Sequence, residues 1–190
     1  MRSIHPVDPR SGNYEGLLLV AHPGLRDPNF RRSVLLLNAH GKEAGALGFV
    51  LNRPLGKTAA DLLPEHDQQA LLERVPVYVG GPVGQDQLGF AGLNWDAENG
   101  TLLLETHLSL SDVGRWLDER TGEVRAFVGY SGWSAGQLEE EMAQKSWVLV
   151  KPVRGASESA VVDRLWFRVM SSLGPVYKFM SIIPDDPSLN

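Results

Sequence analysis

The sequence predicts an α+β protein built on a mixed β-sheet, and three observations carry that prediction. Strand-length apolar runs recur from residue 16 to residue 151, several of them in hairpin-like pairs. Three to four amphipathic helical segments fall among them without the strict alternation of a doubly wound sheet. The chain has 190 residues, 43% hydrophobic and 22% charged, which is enough material for a buried core and favours one domain over two.

Residues 1–13 are polar and carry Pro6 and Pro9, so they are expected to form a loosely held lead-in to that single domain. The first strand is Gly16–His22, ended by the turn dipeptide Pro23-Gly24, and Asp27-Pro28 suits the opening of a helical turn. Ser33–Asn38 is a continuous apolar run, as expected of a strand covered on both faces. His40-Gly41-Lys42 turns it into Ala44–Leu51 as a hairpin. Asn52-Arg53-Pro54 stops that strand, because proline lacks the N–H that a ladder needs. Short helices are expected from Thr58 or Asp61 and over Asp67–Arg74, with strands at Val75–Val79, Leu88–Leu93 and Thr101–Glu105.

Ser111 opens a helix with Val113, Trp116 and Leu117 on one face and Gly122 beyond its end. The strand Val124–Tyr130 leads into a glycine-rich turn and then an acidic helix from Ser134, followed by a strand at Trp147–Lys151. The last helix, Ser159–Leu173, carries an apolar stripe through Val161, Val162, Leu165, Trp166, Val169, Met170 and Leu173, closed by Gly174 and Pro175.

Composition removes several classes of chemistry. Without cysteine there are no disulfides, thiolate zinc sites, iron-sulfur clusters or cysteine nucleophiles, and a reducing cytoplasm is the expected location. The first 14 residues contain no uninterrupted apolar run, so neither a signal peptide nor a membrane anchor is expected. A formal net charge of -5 argues against broad nucleic-acid binding. Residues 1–60 nevertheless hold eight Lys or Arg against four acids, 8 - 4 = +4, which leaves -9 for the remainder. Such a polarity can steer an anionic ligand, although scattered surface residues produce it equally.

The most distinctive stretch is Arg125–Lys145, RAFVGYSGWSAGQLEEEMAQK, in which Gly132–Gly136 spells G-x-S-x-G. Read as a nucleophile elbow, Ser134 is an exposed hydroxyl on a strand-to-helix turn beside helix-start N–H groups. The expected partner order fails, since His5, His22, His40, His66 and His107 all precede Ser134, although triads are defined by geometry. Read as a capping box, Ser134 is the N-cap and Gln137 reaches back to its N–H, with Trp133 and Leu138 as the hydrophobic staple and Glu141 paired with Lys145. Ser134→Ala would then cost about 1 kcal/mol. The cap accounts for more of the neighbouring residues than the elbow, but it leaves Gly129, Tyr130, Ser131 and Gly132 unused.

Other patterns carry less. Gly56-Lys57-Thr58 resembles the end of a P-loop, but Leu51 holds the place of its first glycine. The run Gly80-Gly81-Pro82-Val83-Gly84 precedes no helix signal, so it reads as a glycine turn rather than a phosphate cradle. No H-E-x-x-H occurs, and neither a metal site nor a cofactor is expected.

Three segments together resemble the YqgE/AlgH family of small bacterial proteins: Ala21–Pro54 (AHPGLRDPNFRRSVLLLNAHGKEAGALGFVLNRP), Val77–Val83 (VYVGGPV) and Gly129–Met142 (GYSGWSAGQLEEEM) followed by Trp147. The resemblance implies a bent, barrel-like mixed sheet flanked by three to four helices. It brings no catalytic residues, and for some members it brings a transcriptional-regulator label connected with exopolysaccharide control. No helix-turn-helix is visible in this acidic chain, which argues against direct DNA reading. The expectation is a non-enzymatic binding or regulatory protein that takes a small molecule or protein partner and has no membrane contact, with oligomeric state open. Asn52, Arg53, Ser131 and Gln137 are its candidate polar contacts and Trp133 its apolar wall, at a pocket where the two glycine-rich turns meet. A hydrolase using Ser134 is the alternative.

Overall fold

The computed structural model describes residues 6–9, 12–119, 122–156 and 159–183. Its centre is a nine-stranded mixed sheet curled into a half-barrel, with six α-helices among the described residues around it. The strands are β1 (Leu18–Ala21), β2 (Val34–Gly41), β3 (Gly45–Val50), β4 (Pro54–Thr58), β5 (Pro76–Val79), β6 (Val83–Asp96), β7 (Thr101–Thr106), β8 (Glu123–Trp133) and β9 (Trp147–Val150). They run β4-β5-β8-β3-β2-β1-β9, with β6 pairing both β8 and β7 off this path. Among the described residues the one parallel pairing is β5 with β8, at Val77↔Ala126 to Val79↔Val128.

The apolar runs fold as their patterns require. β1 and the first half of β2 are buried at every position, because each lies between two strands and under the helical layer. The β2–β3 hairpin forms as expected, with Gly41 opposite Gly45. β4 was not expected. Pro54 pairs with Tyr78 on an edge strand, where a missing N–H faces no second neighbour. Asp61 closes the start of α1 (Ala59–Leu62), its carboxylate accepting from the Thr58 N–H at 2.7 Å and hydroxyl at 3.1 Å. Those hydrogen bonds hold the Asp61 pKa below the usual carboxylate value. A second short helix, α2, covers Gln69–Leu72, and α3 covers Leu110–Glu119.

After α4 (Gln137–Ala143) the C-terminal region departs most from the pattern. The expected helix over Ser159–Leu173 divides into a 3-10 turn, Ser159–Arg164, and α5, Leu165–Ser172. Val162, Leu165, Trp166, Val169 and Met170 are buried as the stripe requires, and the Trp166 Nε1–H donates to Ala21 O at 2.8 Å. Pro175, read as a terminator, instead begins α6 (Pro175–Ile182), where proline at N1 loses no hydrogen bond. The six helices therefore exceed the three to four expected, and three of them are eight residues or longer.

The core has two parts. The larger lies under β1, β2, β3 and β9 against α5, and the smaller lies between β5, β8 and the helices α1 to α3. β8 contributes to both, Phe127 and Trp133 to the first and Val124 and Ala126 to the second.

Candidate functional site

β8 changes partners along its length. Residues 123–128 pair with β6 and 126–128 with β5, whereas Ser131, Gly132 and Trp133 pair with Gly48, Leu47 and Ala46 of β3. Residues 129–133, read as turn, are therefore strand, and the turn into α4 is confined to Ser134–Gly136. The crossing point is Gly129, whose φ of 67° lies in the left-handed region. A Cβ there would stand 2.6 Å from Val83 O and 2.7 Å from Gly81 O. Side chains at Gly80 and Gly81 would likewise collide with Gly129 O and the Tyr130 backbone. Ser131, fully buried, donates its hydroxyl to Gly80 O at 3.1 Å. The two glycine-rich segments thus meet, but backbone against backbone, with no room between them.

The space lies beside that junction. A groove of about 540 Å³ opens where Val83, Tyr130, Gly132 and Trp133 face the β2–β3 hairpin at Ala44 and Leu47. That volume is in the range of small-molecule sites. The Tyr130 ring sits close to Gly84 and Gly132, 3.5 Å and 3.4 Å from where their Cβ atoms would be. Glycine at those two positions therefore gives the ring its place on the wall.

Of the five expected contact residues, only Trp133 lines this groove. Ser131 is spent on Gly80 O. Asn52 mimics a strand, accepting from the Val34 N–H at 2.8 Å and donating to Arg32 O at 2.9 Å. Arg53 donates to Arg31 O at 3.1 Å and Pro28 O at 3.4 Å, and its burial lowers its pKa. Both residues fasten the 27–34 segment to the end of β3, away from the groove. Gln137 accepts from the Ser134 N–H and hydroxyl, each at 3.1 Å, and donates to Glu141 Oε1 at 3.0 Å.

The N-cap of α4 is Gly136, in a left-handed conformation, rather than Ser134. Half of the capping box survives, since Gln137 reaches back to the Ser134 N–H, but the Ser134 hydroxyl bonds Gln137 instead of the helix backbone. Glu141, expected to pair with Lys145, instead accepts the indole N–H groups of Trp133 at 3.0 Å and Trp147 at 2.7 Å. Phe30 completes that cluster, 6.1 Å from Trp133 and 5.4 Å from Trp147 between ring centroids. The spacing Trp133–Gln137–Glu141, one helical turn per step, was visible in the sequence. Trp147 as the second donor was not, because it arrives from β9.

Two further clusters escaped the sequence reading. Beside the groove, His40 Nδ1 accepts from the Tyr14 N–H at 3.3 Å, and Nε2 faces Glu139 Oε1 at 3.1 Å, with the ring stacked on Tyr14 at 4.1 Å. Burial, reinforced by Glu139 and Asp8, raises the Tyr14 pKa. Both imidazole nitrogens of His40 are engaged, and no described histidine is bonded to Ser134. Arg125 is fully buried, donating to Leu51 O at 2.9 Å and to Glu123 at 3.0 Å, with its guanidinium 4.1 Å over the Tyr78 ring. A lone arginine within the apolar run of β8 was the available signal. Among the described residues no group of three or more His, Asp or Glu could hold a metal ion.

Comparison with known proteins agrees with this architecture. A family model described as AlgH-like matches residues 18–178. A UPF0301 protein of Streptomyces coelicolor is 38% identical, with 92% of this chain and 94% of the relative aligned. One from Chlorobium phaeobacteroides is 35% identical, over 92% and 95%. Among solved structures, the AlgH protein from Pseudomonas aeruginosa superposes with a TM-score of 0.62 at 27% identity, covering 98% of this chain and all of that one. A Corynebacterium diphtheriae protein gives 0.68 at 22% identity, covering 94% of each chain, and supports the fold alone.

Proposed function

This chain belongs to the AlgH-like family, and from that premise we propose that it is a non-enzymatic binding protein whose ligand sits in the groove between the end of β8 and the β2–β3 hairpin. One observation carries the reading: the glycine junction brings Val83, Tyr130, Gly132 and Trp133, from two distant segments, onto one wall of an open groove. Its aromatic and apolar lining, with the exposed Glu15 as a polar group, suits a small organic molecule. Regulation, if it follows, acts through that ligand or a protein partner rather than by reading DNA, as the charge of -5 supports. The lack of cysteine supports a cytoplasmic location.

A thermal-shift screen of nucleotides, metabolites and metal ions tests the site, because a ligand that binds only the folded state raises its stability. Ala44, exposed on the groove, is replaced by Trp to fill it. A compound that stabilises the wild type and not Ala44→Trp is the expected result; one that stabilises both equally moves the site elsewhere. The hydrolase reading has no observation in its favour, since the Ser134 hydroxyl donates to Gln137 and no base adjoins it among the described residues. No Ser134-dependent labelling by a fluorophosphonate is expected, and labelling would replace the binding reading.

A further inference from the structure

Helix α6 buries one residue, Ser181, and leaves Val176, Phe179 and Ile182 exposed at 68%, 64% and 59%, with Ile183 at 47%. At 100° per residue these four share a stripe about 120° wide on the side opposite Ser181. The helix has no acid, and its one charge is Lys178. At its C-terminal end Met180 and Ile183 join Arg26 and Arg31 around a recess of about 360 Å³. Arg32 ties the same loop to the helix, donating to Ile183 O at 3.4 Å and lying 5.5 Å over the Trp166 ring. Ile183 belongs to both the stripe and the recess, so the two are continuous.

We propose that α6 docks the protein peripherally on an anionic phospholipid bilayer, with the stripe entering the acyl boundary and a headgroup phosphate held in the recess by Arg26 and Arg31. Charge chooses the occupant. Although the chain has a net charge of -5, Arg26 and Arg31 line the recess and Lys178 lies on the helix; Asp27 is the acid of the loop, and Asp185 and Asp186 follow Ile183 in the sequence, outside the described residues. A second copy would set those cations against their own equivalents, whereas anionic headgroups complement them. Shape agrees, because a ridge this exposed needs a matching groove in a protein partner and needs none in a fluid bilayer. No helix among the described residues is long and apolar enough to span a membrane, so the contact is a surface one.

Cosedimentation of the full chain tests it, using vesicles of phosphatidylcholine alone and of equal parts phosphatidylcholine and phosphatidylglycerol. The expected result is binding to the anionic vesicles at least about tenfold stronger than to the neutral ones, weakening with salt. Phe179→Ser with Ile182→Ser is expected to lower that binding about tenfold or more at an unchanged melting temperature. Arg26→Gln with Arg31→Gln is expected to remove the preference for phosphatidylglycerol. Wild-type protein left in the supernatant with anionic vesicles at low salt overturns the proposal, as does full binding by the double serine variant. Sedimentation showing a dimer that Phe179→Ser dissociates, without vesicle binding, assigns the stripe to a second copy. Stabilisation by inorganic phosphate without vesicle binding reduces the recess to a phosphate site and also overturns it.

Discussion

Where β8 crosses the Gly80–Val83 segment, the chain removes side chains so that two backbones touch; along α6, it presents large side chains that no described residue covers. The first region is internally complete. Ser131 is bonded, the carbonyls are packed, and the open groove lies next door. The second is complete on one face alone. Glycine content and apolar content therefore point in opposite directions from their usual use: the glycine-rich segment is a packing device, and the apolar helix is the surface with unfinished business.

Breaking the first region should cost most. Gly80→Ala places a Cβ inside the contact radius of Gly129 O and the Phe49 ring 3.1 Å away, and it is expected to lose about 3 kcal/mol in urea unfolding. Gly136→Ala, with nothing within 4 Å, should lose about 1 kcal/mol for its left-handed φ of 78°. Equal losses would mean that close packing is not what the junction needs. Next is Glu141→Ala, which leaves the buried indole N–H groups of Trp133 and Trp147 without their acceptor. About 2 kcal/mol and an altered near-UV circular dichroism spectrum are expected. Exposed Glu140→Ala should stay within about 0.5 kcal/mol.

Ser134→Ala removes a hydroxyl that, among the described residues, bonds the Gln137 side chain alone, so the loss is expected below about 0.5 kcal/mol rather than the 1 kcal/mol of a true cap. A full unit of loss in denaturation would restore the cap. At α6, Phe179→Ser should change stability by no more than about 0.5 kcal/mol, because the ring is already in water. A large loss would show that the stripe is covered in solution. The gentlest probe is pH. His22 lies edge-on to Tyr177 of α6, and burial, reinforced by Lys145, lowers its pKa. Its contribution is fully present above the unfolded value of about 6.5 and is lost as pH falls through the lowered folded value. His22→Gln should flatten thermal stability across that window, and an unchanged slope would separate His22 from α6 docking.

Much of the sheet was legible because burial writes itself into local pattern. β1, β2, β3 and β5 each appear as apolar runs bounded by turn residues, and the β2–β3 hairpin needs only the Gly41 turn between them. β4 was not legible, since Pro54 reads as a stop unless the strand is known to lie at an edge. The candidate site was less so. Trp133 lines the groove, whereas Asn52, Arg53, Ser131 and Gln137 are spent on partners that only folding brings near.

What the sequence alone determined is the fold class, the family resemblance and most strand positions, because these follow from periodicity and backbone freedom over short spans. Tertiary structure decided the rest. It carried β8 past Gly129 to pair with β3, gave Glu141 to two tryptophans, placed the groove beside rather than between the glycines, and turned the α6 stripe outward. Each depends on which distant segment arrives as neighbour, and a polar or apolar group becomes a fastener or a free surface only once that neighbour is in place.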